Sequence, residues 1–213
     1  MSTTIRVLLA DDHEVVRAGY RRLLESCDDI EVVAEASDGE QACQLYLEHK
    51  PGIVVMDLTM PGIGGLDASR RILARDRKAR ILVFSVHENE IFLNRALDQG
   101  ILGYISKRSA SRVMLEAVRC VARGEPFIGQ EMMPCLLKRK ESGDNRLVAG
   151  LSPREFEVFR LRAEGKSVNE IAELLKVSPK TAGHHHTSVK QKLGVSTSAE
   201  LTRLAIRLGV IAP

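Results

Sequence analysis

The chain has 213 residues, 44% hydrophobic and 28% charged, with a formal net charge of +3. That is ordinary globular composition, able to bury a core and fold. No apolar run approaches the roughly 18 residues a membrane span needs, and Met1-Ser2-Thr3-Thr4-Ile5-Arg6 enters a strand without a signal-peptide pattern. A cytoplasmic protein with no membrane partner is expected, its Cys27, Cys43, Cys120 and Cys135 reduced because they lack C-x-x-C pairing.

Residues 1–124 alternate short β-branched runs with helix-period segments. Strands are expected at 5–10, 30–34, 53–56, 81–84 and 101–105, and helices near 14–26, 39–49, 65–75, 89–99 and 109–123. Continuous apolar strands are buried on both faces, and short right-handed crossovers then dictate an α/β three-layer sandwich with a five-stranded parallel sheet. From Gly124 the periodicity fades, and a linker is expected over 125–148, with its flexible part at about 138–149 and Ile128 to Leu137 apolar enough for a short helix. Beyond it helix-start signals are dense. Ser152-Pro153-Arg154-Glu155, Ser167-Val168-Asn169-Glu170 and Thr197-Ser198-Ala199-Glu200 are capping boxes, and Ser178-Pro179 is a cap followed by proline. Four short helices are expected near 153–164, 168–175, 179–193 and 198–208, a small all-α domain over 149–213. The connection Lys176-Val177-Ser178 has the length found in a helix-turn-helix.

The charge is unevenly divided. Residues 1–124 carry 17 Lys plus Arg against 18 Asp plus Glu, whereas residues 149–213 carry 10 against 6. The positive excess therefore lies where a polyanion would be met.

Asp11 and Asp12 follow the first strand, Asp57 the third and Lys107 the fifth. In a parallel sheet the carboxyl ends of the strands gather at one edge, so these four can share a crevice. Clustered carboxylates make a hard oxygen site suited to Mg²⁺, and a lysine opposite them supplies a charge for a phosphoryl oxygen. An Mg²⁺-dependent phosphatase or phosphotransferase of small molecules could use the same quartet, but no insertion between the βα units is large enough for a substrate cap. A flavin domain is disfavoured because the first loop is acidic where a phosphate-cradling loop is expected.

Leu8-Leu9-Ala10-Asp11-Asp12-His13, Met56-Asp57-Leu58-Thr59-Met60-Pro61-Gly62 and Gly103-Tyr104-Ile105-Ser106-Lys107 resemble the receiver domain of two-component response regulators, a flavodoxin-like (βα)5 fold. The resemblance implies that Asp57 accepts a phosphoryl group from a sensor histidine kinase. Asp12, Asp57 and the Thr59 carbonyl would then bind Mg²⁺ directly, with Asp11 reaching it through water. Lys107 and Ser85 would meet the phosphoryl oxygens, and Ser85 with Tyr104 would form the switch pair. Catalysis would extend only to the chain's own phosphorylation and dephosphorylation. The acidic residue usual in the family's M-P-x-x-[DN]-G loop is replaced by Gly64.

Residues from Leu151-Ser152-Pro153-Arg154-Glu155 to Leu193-Gly194-Val195 resemble the LuxR-type helix-turn-helix, and with the receiver they make the NarL/FixJ class. The implied protein is a phosphorylation-dependent transcriptional regulator that forms a homodimer when phosphorylated, binds double-stranded DNA and works with RNA polymerase. Helix 179–193 would be its recognition helix. Three-four spacing turns Ala182, Val189 and Leu193, with His185, inward. By position, Gly183, His184 and Thr187 would lie nearest base edges, and Lys180, Thr181 and Lys190 would meet phosphates. His184-His185-His186 is not read as a chelate, because consecutive helical residues point in different directions.

Overall fold

The computed structural model describes residues 4–138 and 147–211. The chain divides into two compact units, the first holding Met1–Glu88 and Phe92–Leu137, the second Asn89–Ile91 and Lys138–Pro213.

Five βα units lead the chain: β1 (Ile5–Ala10), α1 (Glu14–Leu24), β2 (Ile30–Ala36), α2 (Gly39–His49), β3 (Ile53–Met56), α3 (Gly64–Arg75), β4 (Ile81–Ser85), α4 (Glu90–Asp98), β5 (Gly103–Ser106) and α5 (Ser111–Ala122). Every residue of β3, β4 and β5 is buried, which is what continuous apolar strands under two helical layers require. The strands pair in parallel in the order β2-β1-β3-β4-β5. β5 starts at Gly103 rather than Ile101, and a Cβ at Gly103 would run into Leu82 and Val121, so only glycine lets α5 close on the sheet here.

One expectation is corrected. The sheet has a sixth strand, β6 (Phe127–Ile128), parallel to β5 with Gly103 opposite Phe127 and Tyr104 opposite Ile128. A 3₁₀ turn (Gln130–Met132) and a short helix, α6 (Met133–Lys138), follow it. The linker expected over 125–148 thus begins with ordered structure packed on the first unit, and Met132 is fully buried. A two-residue strand is too short to display an alternation. The charged run 139–146 lies outside the described residues.

After Gly150 the described residues of the second unit form α7 (Pro153–Ala163), α8 (Val168–Leu174), α9 (Pro179–Leu193) and α10 (Ser198–Arg207). Ser152, Ser167 and Thr197 each complete a reciprocal capping box, and Ser178 caps α9 ahead of Pro179. α7, α8 and α9 meet over Val158, Leu161, Ile171, Ala172, Leu175 and Ala182. The turn into α9 passes through Lys176 at φ 51.

Candidate functional site

The strand order decides the first site. β3 lies beside β1, and β4 separates it from β5, so the residues that follow β1, β3 and β5 meet at one edge. The ladder holds each of them for one more rung: Asp11 N–H donates to Ala36 O (3.0 Å), Asp57 N–H to Ala10 O (2.9 Å) and Lys107 N–H to Ser85 O (2.8 Å). Lys107 Nζ then reaches Asp11 Oδ2 at 2.6 Å and Asp57 Oδ2 at 3.0 Å. Both carboxylates are only 2% exposed. Burial pushes the Asp57 carboxyl up to about 6, Lys107 opposing it from across the crevice. Burial works downward on Lys107, but Asp57 and Asp11 hold its ammonium above the usual lysine range.

Ligand atoms of Asp11, Asp12, His13 and Asp57 lie within 4.8 Å of one another. His13 Nδ1 lies 2.9 Å from Asp12 Oδ1, yet that buried oxygen accepts no hydrogen bond. The sequence reading thus placed Asp11, Asp12, Asp57 and Lys107 together, and His13 joins them. Thr59 N–H donates to Asp57 Oδ1 at 3.3 Å.

Ser85 and Tyr104 are both fully buried. Ser85 Oγ accepts from His87 N–H at 3.2 Å, and the Tyr104 hydroxyl donates to His87 O at 2.7 Å. The Tyr104 hydroxyl is pushed well above its usual range by burial. His87, given no site role by the sequence, links these groups to the site: its Nε2 lies 2.9 Å from Thr59 Oγ1 and its ring stacks on Phe92 at 3.9 Å. A histidine two residues beyond a strand end carries no local signal.

At the loop after β3, Gly64 takes φ 65. A left-handed position is one that Asn, Asp or Gly tolerates, which accounts for glycine where the family pattern has an acid or amide. Gly65 is required for another reason, since its Cβ would overlap the Asp57 carbonyl.

In the second unit Ala182, Val189 and Leu193 of α9 are buried, whereas Lys180, Thr181, His184 and Thr187 are exposed and Gly183 and Lys190 are half-exposed. Two of these hydroxyls are engaged within the chain. The Thr181 hydroxyl lies 2.8 Å from Ser178 Oγ, and Thr187 Oγ1 donates to Gly183 O at 3.1 Å. His185 and His186 are half-buried, and burial lowers both imidazoles below their ordinary range. Glu155 does more than complete a capping box: it accepts from Lys192 Nζ (2.7 Å) and Ser188 Oγ (2.6 Å), tying α7 to α9. Burial alone would raise its carboxyl, but these donors hold it down at about 2.

A parallel α/β unit with a lysine bridging two buried aspartates, followed by a capped helix-turn-helix, defines the class of the response regulators. Comparison with known proteins narrows it. Residues 7–119 match the response regulator receiver domain, and residues 149–205 match the bacterial regulatory proteins of the luxR family. The chain is 40% identical over 208 residues to the transcriptional activator protein ExaE of Pseudomonas putida, covering 96% of this chain and 97% of that one. It is 38% identical over 208 residues to the response regulator UvrY of Escherichia coli K12, covering 97% and 95%. A solved structure of RcsB from Salmonella enterica serovar Typhimurium, bound to promoter P1flhDC in the presence of phosphomimetic BeF3-, aligns with TM-score 0.69 at 31% identity over 95% of this chain and 98% of that chain. The chain belongs to the two-component response regulators that join a receiver domain to a LuxR-type DNA-binding domain, the NarL/FixJ type. It is a transcriptional regulator rather than a classical enzyme, and the small-molecule phosphatase reading is not favoured.

Proposed function

We propose that Asp57 is the phosphoacceptor of this regulator. In the reaction an Asp57 carboxylate oxygen attacks the phosphorus of a sensor kinase's phosphohistidine, the P–N bond breaks, and the imidazole departs. What carries this reading is Lys107 Nζ, held by two nearly inaccessible aspartates at the carboxyl edge of the sheet. The crevice suits Mg²⁺: Asp11, Asp12 and Asp57 offer hard carboxylate oxygens, and the buried Asp12 Oδ1 accepts no hydrogen bond even though His13 Nδ1 lies 2.9 Å away. Asp12, Asp57 and the Thr59 carbonyl would hold the ion, Asp11 through water, and the bound ion would neutralise charge on the transferring phosphoryl group. Lys107 orients a phosphoryl oxygen, and Ser85 turns its hydroxyl toward another. That turn releases the His87 N–H, and with it the loop on which the Tyr104 hydroxyl rests.

The receiver domain covers residues 1–124 with the added β6 and α6, and the DNA-binding domain residues 149–213. In the cytoplasm the phosphorylated chain pairs with a second copy, and two α9 helices read half-sites in the major groove alongside RNA polymerase. Gly183, His184 and Thr187 face base edges, and Lys180, Thr181 and Lys190 face phosphates. Labelling with a radioactive small acyl phosphate and Mg²⁺ tests the acceptor. Asp57→Ala abolishes the label and any phosphate-stimulated DNA binding; a variant that still labels overturns the assignment.

A further inference from the structure

β6 ends after two residues, one rung short of Ser106. Ile128 lies opposite Tyr104 and Gly129 N–H donates to Tyr104 O, so the next donor along β5, the Ser106 N–H, has no strand beside it. A side chain takes that rung: Glu131 Oε1 accepts from Ser106 N–H at 3.0 Å and also from the Ser109 hydroxyl. Ser106 and Ser109 flank Lys107. The Ser106 hydroxyl in turn donates to Glu88, whose carbonyl accepts from Cys135 Sγ at 3.5 Å. Donors from the Lys107 loop keep the Glu131 carboxylate below its usual range against the opposing effect of burial.

We propose that Glu131 is a positioning residue for Lys107, so that the segment 127–137 takes part in the phosphorylation step and registers its outcome. A buried backbone N–H needs an acceptor, and this one is supplied from outside the βα frame. The same loop carries the cation that must stay within reach of Asp11, Asp57 and an incoming phosphoryl oxygen. Because coupling is reciprocal, whatever repositions Lys107 also loads Glu131, on the stretch of chain that runs on toward the DNA-binding domain. Glu88 and Cys135 tie the loop after Ser85 to the same stretch. The inference rests on Asp57 being the phosphoacceptor.

Gly129 supplies an independent handle. A Cβ there would come too close to the Glu131 carboxylate for it to stay in place, and the glycine's φ of −56 suits any residue. Gly129→Ala therefore displaces the carboxylate and leaves its charge and backbone intact. The experiment measures phosphorylation of the full chain by a small acyl phosphate with Mg²⁺, Mg²⁺ affinity by calorimetry, and amide exchange over 127–137 with and without beryllofluoride and Mg²⁺. Glu131→Ala and Gly129→Ala should each slow labelling about three- to tenfold, the effect of one or two hydrogen bonds, with Mg²⁺ affinity unchanged. Glu131→Gln keeps the acceptor and should label nearly as fast as the parent. Beryllofluoride should alter exchange over 127–137 in the parent and not in Gly129→Ala. A parent-like rate in both Glu131→Ala and Gly129→Ala overturns the proposal, as does exchange over 127–137 indifferent to beryllofluoride in the parent. Failure of the parent itself to label would instead sink the Asp57 reading.

Discussion

Asp57, the proposed phosphoacceptor, is also a cost to the fold. Burial pushes its carboxyl up to about 6 from the ordinary 3.8, outweighing the attraction of Lys107. An acid with a raised folded value binds more protons folded than unfolded, so stability falls as pH rises from about 4 to about 6 and stays reduced above that. Asp57→Asn removes the titration. In chelator, denaturant unfolding should show a gain of about 1–2 kcal/mol at pH 8 that shrinks toward zero near pH 4. An equal gain at both pH values would show that charge burial is not its source. At this scale Asp11, Asp12, Asp57 and Lys107 were legible because each lies within two residues of a strand end, and strand ends of a parallel sheet converge wherever the crossovers lead. His87 and Glu131 were not. Their partners, Thr59 and the loop 106–109, lie more than twenty residues away, and nothing in the local pattern joins them.

The elements themselves were nearly all visible. Capping boxes at Ser152, Ser167 and Thr197 announce the helices of the second unit through spacing alone, since side chain and backbone must meet three residues apart. β6 was hidden because its stability comes from pairing with β5 and from the burial of Met132, not from its own two residues. Within α9, Gly183 is the weak point, its backbone freedom costing roughly 1 kcal/mol relative to alanine. The structure leaves room there: among the described residues a Cβ would meet only Val168 Cγ1, at an ordinary 3.9 Å. Gly183→Ala should therefore raise the stability of the second unit by about 0.5–1 kcal/mol, read from amide exchange across α9. A loss of stability would show that Gly183 is kept for close packing.

Across the whole chain, charge separates as function does. Residues 1–124 carry 17 basic against 18 acidic groups and residues 149–213 carry 10 against 6. Association with DNA releases counterions in proportion to the phosphates neutralised, so its salt dependence reports which cations touch the duplex. Lys180 and Lys190 sit on α9 outside its buried Ala182–Val189–Leu193 face. Arg75 is exposed too but belongs to α3 of the first unit. Lys180→Gln should reduce the slope of log affinity against log salt by about 1 for each chain bound, and weaken all sequences alike. Thr187→Ala should leave the slope alone and relax discrimination among operators, because a base contact carries sequence information and little counterion release. Arg75→Gln should change neither. If Arg75→Gln lowered the slope as much as Lys180→Gln, the first unit would have to meet the duplex too, and the division of labour drawn from charge would fail.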